Sequence, residues 1–116
     1  MIGRVIQLLE ALYKAVVTDK NAGFALTGSN VLKGVVQNVT TAGTRVQLPD
    51  YPCREVTLIA KNGNVGSIYV GGNDVSSTVY GVELETKDSV TLQVNNTNLI
   101  YIDSSVSGEG ISYVAL

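Results

Sequence analysis

Residues 66–77 read GSIYVGGNDVSS and residues 101–116 read YIDSSVSGEGISYVAL, and these two stretches decide the fold. In both, apolar residues alternate with polar ones beside dense clusters of Gly, Asn, Asp and Ser. Alternation turns one side of a β-strand toward a core and the other toward solvent, while the clusters supply residues that can reverse the chain. Neither stretch combines a nucleophile with a base or a set of metal ligands. Both therefore predict strands and turns of a scaffold rather than an active site.

The same alternation extends outward from these stretches. It predicts seven short strands, at residues 45–48, 55–61, 66–70, 80–84, 89–94, 99–103 and 111–116. Turn-forming residues separate the strands, and Asn62-Gly63 is the strongest hairpin signal among them. Short strands in this number, without helices between them, predict a mainly β protein: an antiparallel β-sandwich of jelly-roll type.

The first 44 residues follow a different pattern. Apolar residues with a 3-4-3-4 spacing predict an amphipathic α-helix over about residues 2–18, with oligomer or docking contacts along one seam at Ile2, Val5, Leu9, Leu12 and Val16. Residues 19–44 show weak periodicity and are interpreted as an extended arm, in which residues 35–39 could form one strand. The predicted division is therefore 1–44 for the helix and arm and 45–116 for the β-sandwich.

Two interpretations of the helix stay open. It could pack on its own β domain, or it could associate with copies of itself. Two heptads are too few to hold a coiled coil alone, so the second interpretation requires that the β domain also oligomerises.

Composition excludes several classes of function. Hydrophobic residues make up 45% of the 116 positions and charged residues 16%, the net charge is −2, and histidine is absent. Without histidine the chain lacks the commonest general base and zinc ligand, and without a Lys/Arg cluster it has no footprint for nucleic acid. The apolar residues of the N-terminus are interrupted by charges, so neither a signal peptide nor a membrane span is predicted. We expect no enzyme activity, no cofactor and no metal.

Single residues with reactive groups are given structural roles. Asp74, Asp103 and Glu109 lie in predicted turns, where a carboxylate accepts bonds from backbone N–H groups. Cys53 is interpreted as a small buried residue rather than a reactive thiol. The strand tyrosines are assigned to the core and to subunit contacts in preference to ligand binding; they are Tyr69, Tyr80, Tyr101 and Tyr113.

Residues 66–77, followed after some twenty residues by residues 99–116, resemble a C-terminal β domain of tailed-bacteriophage virion proteins. This family comprises small capsid decoration (cement) proteins, head-fibre proteins and parts of tail fibres. The resemblance covers about residues 45–116 and rests on the ordered pair of motifs. Relatives usually carry a Pro-Gly turn before the strand at 89–94, whereas this chain has Glu85-Thr86-Lys87-Asp88.

The resemblance implies a structural role and no catalytic residues. We expect a decoration protein on the capsid exterior that stabilises the head by non-covalent contacts with capsid subunits. Its expected partners are the major capsid protein and itself, as a homo-oligomer with a trimer favoured, and it would be made in the host cytoplasm. The alternative is a head-fibre or tail-fibre, receptor-binding module that contacts the host surface.

Overall fold

The computed structural model describes residues 28–116, so the predicted helix and the first part of the arm lie outside the described residues. Residues 31–116 form one compact unit. Its strands are β1 (Lys33–Asn38), β2 (Val46–Gln47), β3 (Val56–Ala60), β4 (Ile68–Gly71), β5 (Val82–Leu84), β6 (Ser89–Leu92), β7 (Tyr101–Ser104) and β8 (Gly110–Ala115), and a 3-10 turn, η1, covers Thr97–Leu99. No helix among the described residues is long and apolar enough to cross a membrane.

The strands form two antiparallel sheets of four strands each. The front sheet has the order β1-β8-β3-β6, and the back sheet has the order β2-β7-β4-β5. All pairings within both sheets are antiparallel. The fold is therefore mainly β, as the sequence predicts.

One hydrophobic core lies between the sheets. The front sheet contributes alternate residues of β3 and β8, among them Leu58 and Ile111, and the back sheet contributes Ile68 and Ile102. All four side chains are fully buried. Because side chains alternate across a strand, the neighbours of these residues form the two outer faces of the sandwich.

The seven strands predicted between residues 45 and 116 are confirmed, with ends that differ by at most two residues, and the possible strand at 35–39 is confirmed as part of β1. The domain boundary at residue 45, however, is wrong. β1 lies before that boundary and pairs with β8 along its whole length, from Lys33↔Ala115 to Asn38↔Gly110. Val39, directly after β1, is fully buried in the core. Residues 33–44 therefore belong to the β unit rather than to a separate arm.

The hairpin prediction at Asn62-Gly63 is also wrong. A turn does form there, since the Asn64 N–H donates to the Lys61 carbonyl over 3.1 Å. However, the turn links β3 in the front sheet to β4 in the back sheet, and these strands do not pair with each other. Neither residue has the positive φ that a two-residue hairpin of type I′ requires.

The turn at residues 85–88 forms without proline. The Asp88 N–H donates to the Glu85 carbonyl over 2.9 Å, and the Asp88 carboxylate accepts the Glu85 N–H over 3.1 Å. Lys87 takes a φ of 68°, in the left-handed region that favours glycine. Hydrogen bonds at both ends of the turn therefore hold a conformation that its sequence does not favour.

Candidate functional site

The predicted contact residues of the N-terminal helix lie outside the described residues. These are Ile2, Val5, Leu9, Leu12 and Val16. Their part in oligomerisation or docking stays a prediction.

Glu109 connects the two sequence stretches that decided the fold. Its carboxylate accepts the backbone N–H groups of Val65 and Gly66 over 2.6 and 2.8 Å. Gly66 permits this approach, because a Cβ there would lie 2.7 Å from the Val106 side chain. Nearby, Ser67 and Ser105 bond through the backbone over 3.0 Å. Glu109 therefore clamps the start of the β4 segment to the turn before β8.

Asp103 has a similar structural role. Its side chain is almost fully buried and accepts the N–H groups of Gly43 and Ser104 over 3.0 and 2.8 Å. The prediction that these carboxylates accept backbone N–H groups is confirmed for Glu109 and Asp103. The prediction that Asp103 lies in a turn is wrong, because it is part of β7. Asp74 is exposed instead. Over residues 28–116, no group of three or more His, Cys, Asp or Glu is placed to hold a metal ion.

Cys53 and Tyr113 belong to the core rather than to a reactive centre. The Cys53 thiol donates to the Val94 carbonyl over 3.3 Å. Burial raises the pKa of this thiol, and the backbone hydrogen bond with Glu55 opposes the rise. Burial likewise raises the pKa of Tyr113, with a smaller contribution from Cys53 when its thiol is ionised at high pH. Both groups are therefore protonated and neutral near pH 7, as their structural interpretation requires.

The outer side of the front sheet carries no charged side chain in its two central rows. We call these eight residues the front face: Gly34, Val36, Thr57, Ile59, Ser89, Thr91, Ser112 and Val114. Val36 is 61% exposed and Ile59 is 39% exposed. Thr57 and Thr91 share a hydrogen bond of 2.9 Å across the strands. The front face is consequently neutral, and it consists of aliphatic, hydroxyl-bearing and glycine residues without a charged side chain.

The outer side of the back sheet has aromatic and acidic character, and we call it the back face. The outward positions of its strands are Gln47, Tyr69, Gly71, Glu83, Tyr101 and Asp103. Of these, Asp103 is almost fully buried. The Tyr69 ring lies 5.0 Å from the ring of Tyr80, whose hydroxyl donates to Glu83 over 3.4 Å. Partial burial raises the pKa of Tyr69, with further contributions from Glu83, Tyr80 and Asp103.

A shallow depression of about 400 Å³ lies at one end of the back face. It is lined by Gln47, Asn73, Asn98, Leu99 and Tyr101. These residues come from β2, from the turn after β4, from η1 and from β7. The depression therefore combines one aromatic ring and one leucine with three side-chain amides.

One tyrosine lies where the sequence predicts, and neither face was predicted. Tyr113 lies in the core, as predicted, whereas Tyr69, Tyr80 and Tyr101 lie on the outer side of the back sheet. The assignment of these three to subunit contacts stays a prediction. Alternation does indicate which residues point outward, but only the strand order brings outward residues from distant parts of the chain together.

No family model, no curated protein and no solved structure matches the chain. The front face, the back face and the depression are therefore the features of the described unit from which a function can be argued.

Proposed function

We propose that the chain is a structural protein of a bacteriophage virion, a capsid decoration (cement) protein that binds the outside of the head. The observation that carries this proposal is the front face, a neutral sheet surface with partly exposed apolar side chains such as Val36 and Ile59. Burying charged groups against a partner requires pairing them, whereas small neutral groups can be buried without that requirement. Such a face is suited to a protein partner.

The strand order supports the jelly-roll part of the proposal. Strands β1, β8, β3 and β6 form one sheet, and strands β2, β7, β4 and β5 form the other. This order supports a jelly roll, because a jelly roll also consists of eight strands in two sheets. Jelly rolls are common in viral capsid proteins, although fold alone does not define a function.

The size of the front face limits what it can do alone. Four strands at a spacing of ~4.8 Å and two rows of outward residues ~7 Å apart cover roughly 260 Å². A stable interface buries about 800 Å² on each partner. The front face would therefore supply about a third of one contact, and the remainder must come from other residues.

The N-terminal residues are the proposed source of that remainder. In this proposal an amphipathic helix with its seam at Ile2, Val5, Leu9, Leu12 and Val16 docks on the capsid or joins copies into a trimer. Each buried Å² of apolar surface contributes about 25 cal/mol. When linked copies bind neighbouring capsid subunits, the modest free energies of the single contacts add up to a large stabilisation of the head.

Co-sedimentation with heads tests this function. The partner is the major capsid protein encoded in the same genome, assembled into heads, and the full chain is expected to pellet with them. Val36→Glu places a charge on the front face and should weaken binding about tenfold, which equals ~1.4 kcal/mol. The control is Val79→Glu, because Val79 is also exposed, at 48%, but lies outside the front face.

Failure of the full chain to pellet with heads would contradict the decoration role. Equal binding by wild type and Val36→Glu would contradict only the role of the front face, and the decoration role would stand. A second experiment removes residues 1–22. This truncation should remain a folded β protein by circular dichroism, since residues 31–116 form a compact unit, but it should no longer bind heads or form a trimer.

The second candidate is a head-fibre or tail-fibre module that binds the host surface. The back face favours it, because exposed tyrosines such as Tyr80 suit recognition of polar, partly apolar ligands. Binding of the full chain to host cells, with none to heads, would support this candidate over decoration.

A further inference from the structure

The depression on the back face has a defined construction. Gln47 and Tyr101 are cross-strand partners in β2 and β7. The Gln47 side chain donates to the Asn98 carbonyl over 2.8 Å, and the Asn98 N–H donates to the Asn96 side chain over 2.9 Å. The backbone of Asn98 is thus held on both sides, and it holds the Gln47 side chain in turn. The free amide oxygen of Gln47 therefore loses little freedom when a ligand binds.

Several hydrogen-bonding groups of the depression have no partner within the described protein. The side-chain amides of Asn73 and Asn98 each offer donors and an acceptor, and Gln47 retains its amide oxygen as an acceptor. The Tyr101 ring and Leu99, which is 55% exposed, supply the apolar part of the lining. The depression therefore presents amide groups beside an accessible aromatic ring.

We propose that this depression binds a neutral saccharide. An amide presents a donor and an acceptor side by side, and neighbouring hydroxyl groups on a sugar ring offer the complementary pair. The C–H groups on the face of a sugar ring can pack on an aromatic ring such as that of Tyr101, with Leu99 at its side. The depression therefore offers both kinds of contact that a sugar makes, namely hydrogen bonds to its hydroxyl groups and packing on its C–H groups.

The lining argues against other classes of ligand. It contains no Lys or Arg to neutralise a phosphate or carboxylate, and no Asp or Glu to hold a divalent cation. Two apolar residues are too few for a largely apolar ligand, which needs a mainly hydrophobic lining. A neutral ligand with many hydroxyl groups fits the residues that line the depression.

The volume sets the expected size and affinity of the ligand. About 400 Å³ is near the lower end of the ~300–1,000 Å³ typical of small-molecule sites. The depression is shallow, so a sugar would stay partly in solvent, and a dissociation constant of about 1 mM is expected. The proposal does not depend on capsid binding, because the front face and the back face lie on opposite sides of the sandwich.

Nuclear magnetic resonance of the full, nitrogen-15-labelled chain tests the proposal. The probes are glucose, galactose, mannose and N-acetylglucosamine, each added to about 50 mM, well above the expected dissociation constant of ~1 mM. At least one sugar should shift the side-chain amide signals of Gln47, Asn73 and Asn98. Tyr101→Ala should weaken that binding about tenfold, corresponding to ~1.4 kcal/mol.

Matched variants separate the site from the rest of the surface. Tyr80→Ala removes an exposed tyrosine outside the depression and should bind as the wild type does. Asn73→Ala should weaken binding, while Asn62→Ala, in an exposed turn elsewhere, should not. If Tyr101→Ala fails to fold, Asn98→Ala tests the site instead. This variant should fold, because it keeps both backbone hydrogen bonds of residue 98.

Two results would overturn the proposal. One is the absence of shifts with all four sugars. The other is binding that is unchanged in the folded Tyr101→Ala or Asn98→Ala variant. If the full chain binds a sugar but does not bind heads, the decoration role is contradicted and the saccharide site is supported. The two proposals can therefore be tested independently.

Discussion

The front face and the back face cover the same core but differ in chemistry. The front face has small neutral residues such as Thr57 and Ser112, whereas the back face has tyrosine rings beside Glu83. The inward residues of both sheets are alike, being mostly Val, Leu and Ile. The comparison teaches that the inward positions determine the fold, while the outward positions can be specialised separately. A neutral face suits a protein contact, and a depression lined by amides suits a small polar ligand.

The largest expected effect concerns the strand pair that builds the front face. Gly110 begins β8 opposite Asn38, and a Cβ at this position would lie 2.6 Å from the Asn38 Cα. Because the obstacle is backbone, Gly110→Ala must separate β1 from β8. We expect a loss of about 3 kcal/mol in the free energy of unfolding, measured by chemical denaturation.

Gly34→Ala is the matched control for this prediction. Gly34 is also in the β1–β8 pair, but a Cβ there would meet nothing within 4 Å. Its effect on the unfolding free energy should stay within about 0.5 kcal/mol. Equal effects of the two substitutions would mean that contact between β1 and β8 does not hold the front face together.

A smaller effect is expected where the two sheets are connected. Glu109 accepts two backbone N–H groups, so Glu109→Gln replaces charge-assisted hydrogen bonds by weaker ones and turns an amide N–H₂ toward one donor. The expected cost is about 1–2 kcal/mol in thermal or chemical unfolding. Asp74→Asn, at an exposed turn, should change stability by no more than about 0.5 kcal/mol.

The tyrosines allow the inside and the outside of the sandwich to be compared by pH. Burial raises the pKa of Tyr113 above its ordinary value of 10.0. The folded state therefore keeps a proton that the unfolded state loses, so stability is fully present below pH 10.0 and falls as pH rises through the higher folded pKa. Tyr113→Phe should make this alkaline fall smaller, as followed by denaturation at several pH values.

The control for the alkaline experiment lies on the back face. Tyr69→Phe removes a tyrosine whose pKa is raised by partial burial and then by Glu83. Added salt screens exposed charges, so it should reduce the contribution of Tyr69 more than that of Tyr113. An alkaline fall that is the same in wild type and in both variants would show that neither tyrosine controls it.

The smallest expected effect lies in the turn that joins the sheets between β5 and β6. Lys87 has a positive φ, which costs a side-chain-bearing residue about 1–2 kcal/mol. Glycine removes this cost but adds about 0.5–1 kcal/mol of chain entropy. Lys87→Gly should therefore raise the free energy of unfolding by about 0.5 kcal/mol and leave both faces unchanged.

The reverse substitution at a second turn provides the control. Gly43 has a φ of +87° and open space around its Cα, so Gly43→Ala changes the backbone preference without a clash. It should lower stability by about 1 kcal/mol. If both substitutions change stability in the same direction, the positive φ is not the determining factor.

Local patterns predicted the strands because the core is built from alternate residues. Leu58 and Ile111 both lie within predicted strands, and both are buried where alternation puts them. β1 overlaps the possible strand at residues 35–39, but its pattern did not show which sheet it joins. Its adjacent valines 35 and 36 lie one on the core and one exposed. Its membership in the front sheet depends on β8, which is far away in the sequence.

The candidate sites could not be predicted in the same way. The depression needs Gln47, Asn73 and Tyr101 to meet at one end of the back sheet, and no local pattern fixes which strands are neighbours. At Asn62-Gly63 a strong local signal predicted a hairpin, but β3 and β4 lie in different sheets and do not pair. The depression and the missing hairpin therefore both depend on pairing between strands that are distant in the sequence.

The central position of β8 has a consequence for how the protein is synthesised. β8 lies between β1 and β3, and Lys33 pairs with Ala115. A ribosome makes β8 last of the eight described strands, so β1 and β3 lack their shared partner during translation. The complete front sheet can form only after β8 has been made, and pairing over such sequence distances takes roughly milliseconds to seconds. An incomplete chain that lacks β8 would leave two strand edges open to other nascent chains, a known route to aggregation.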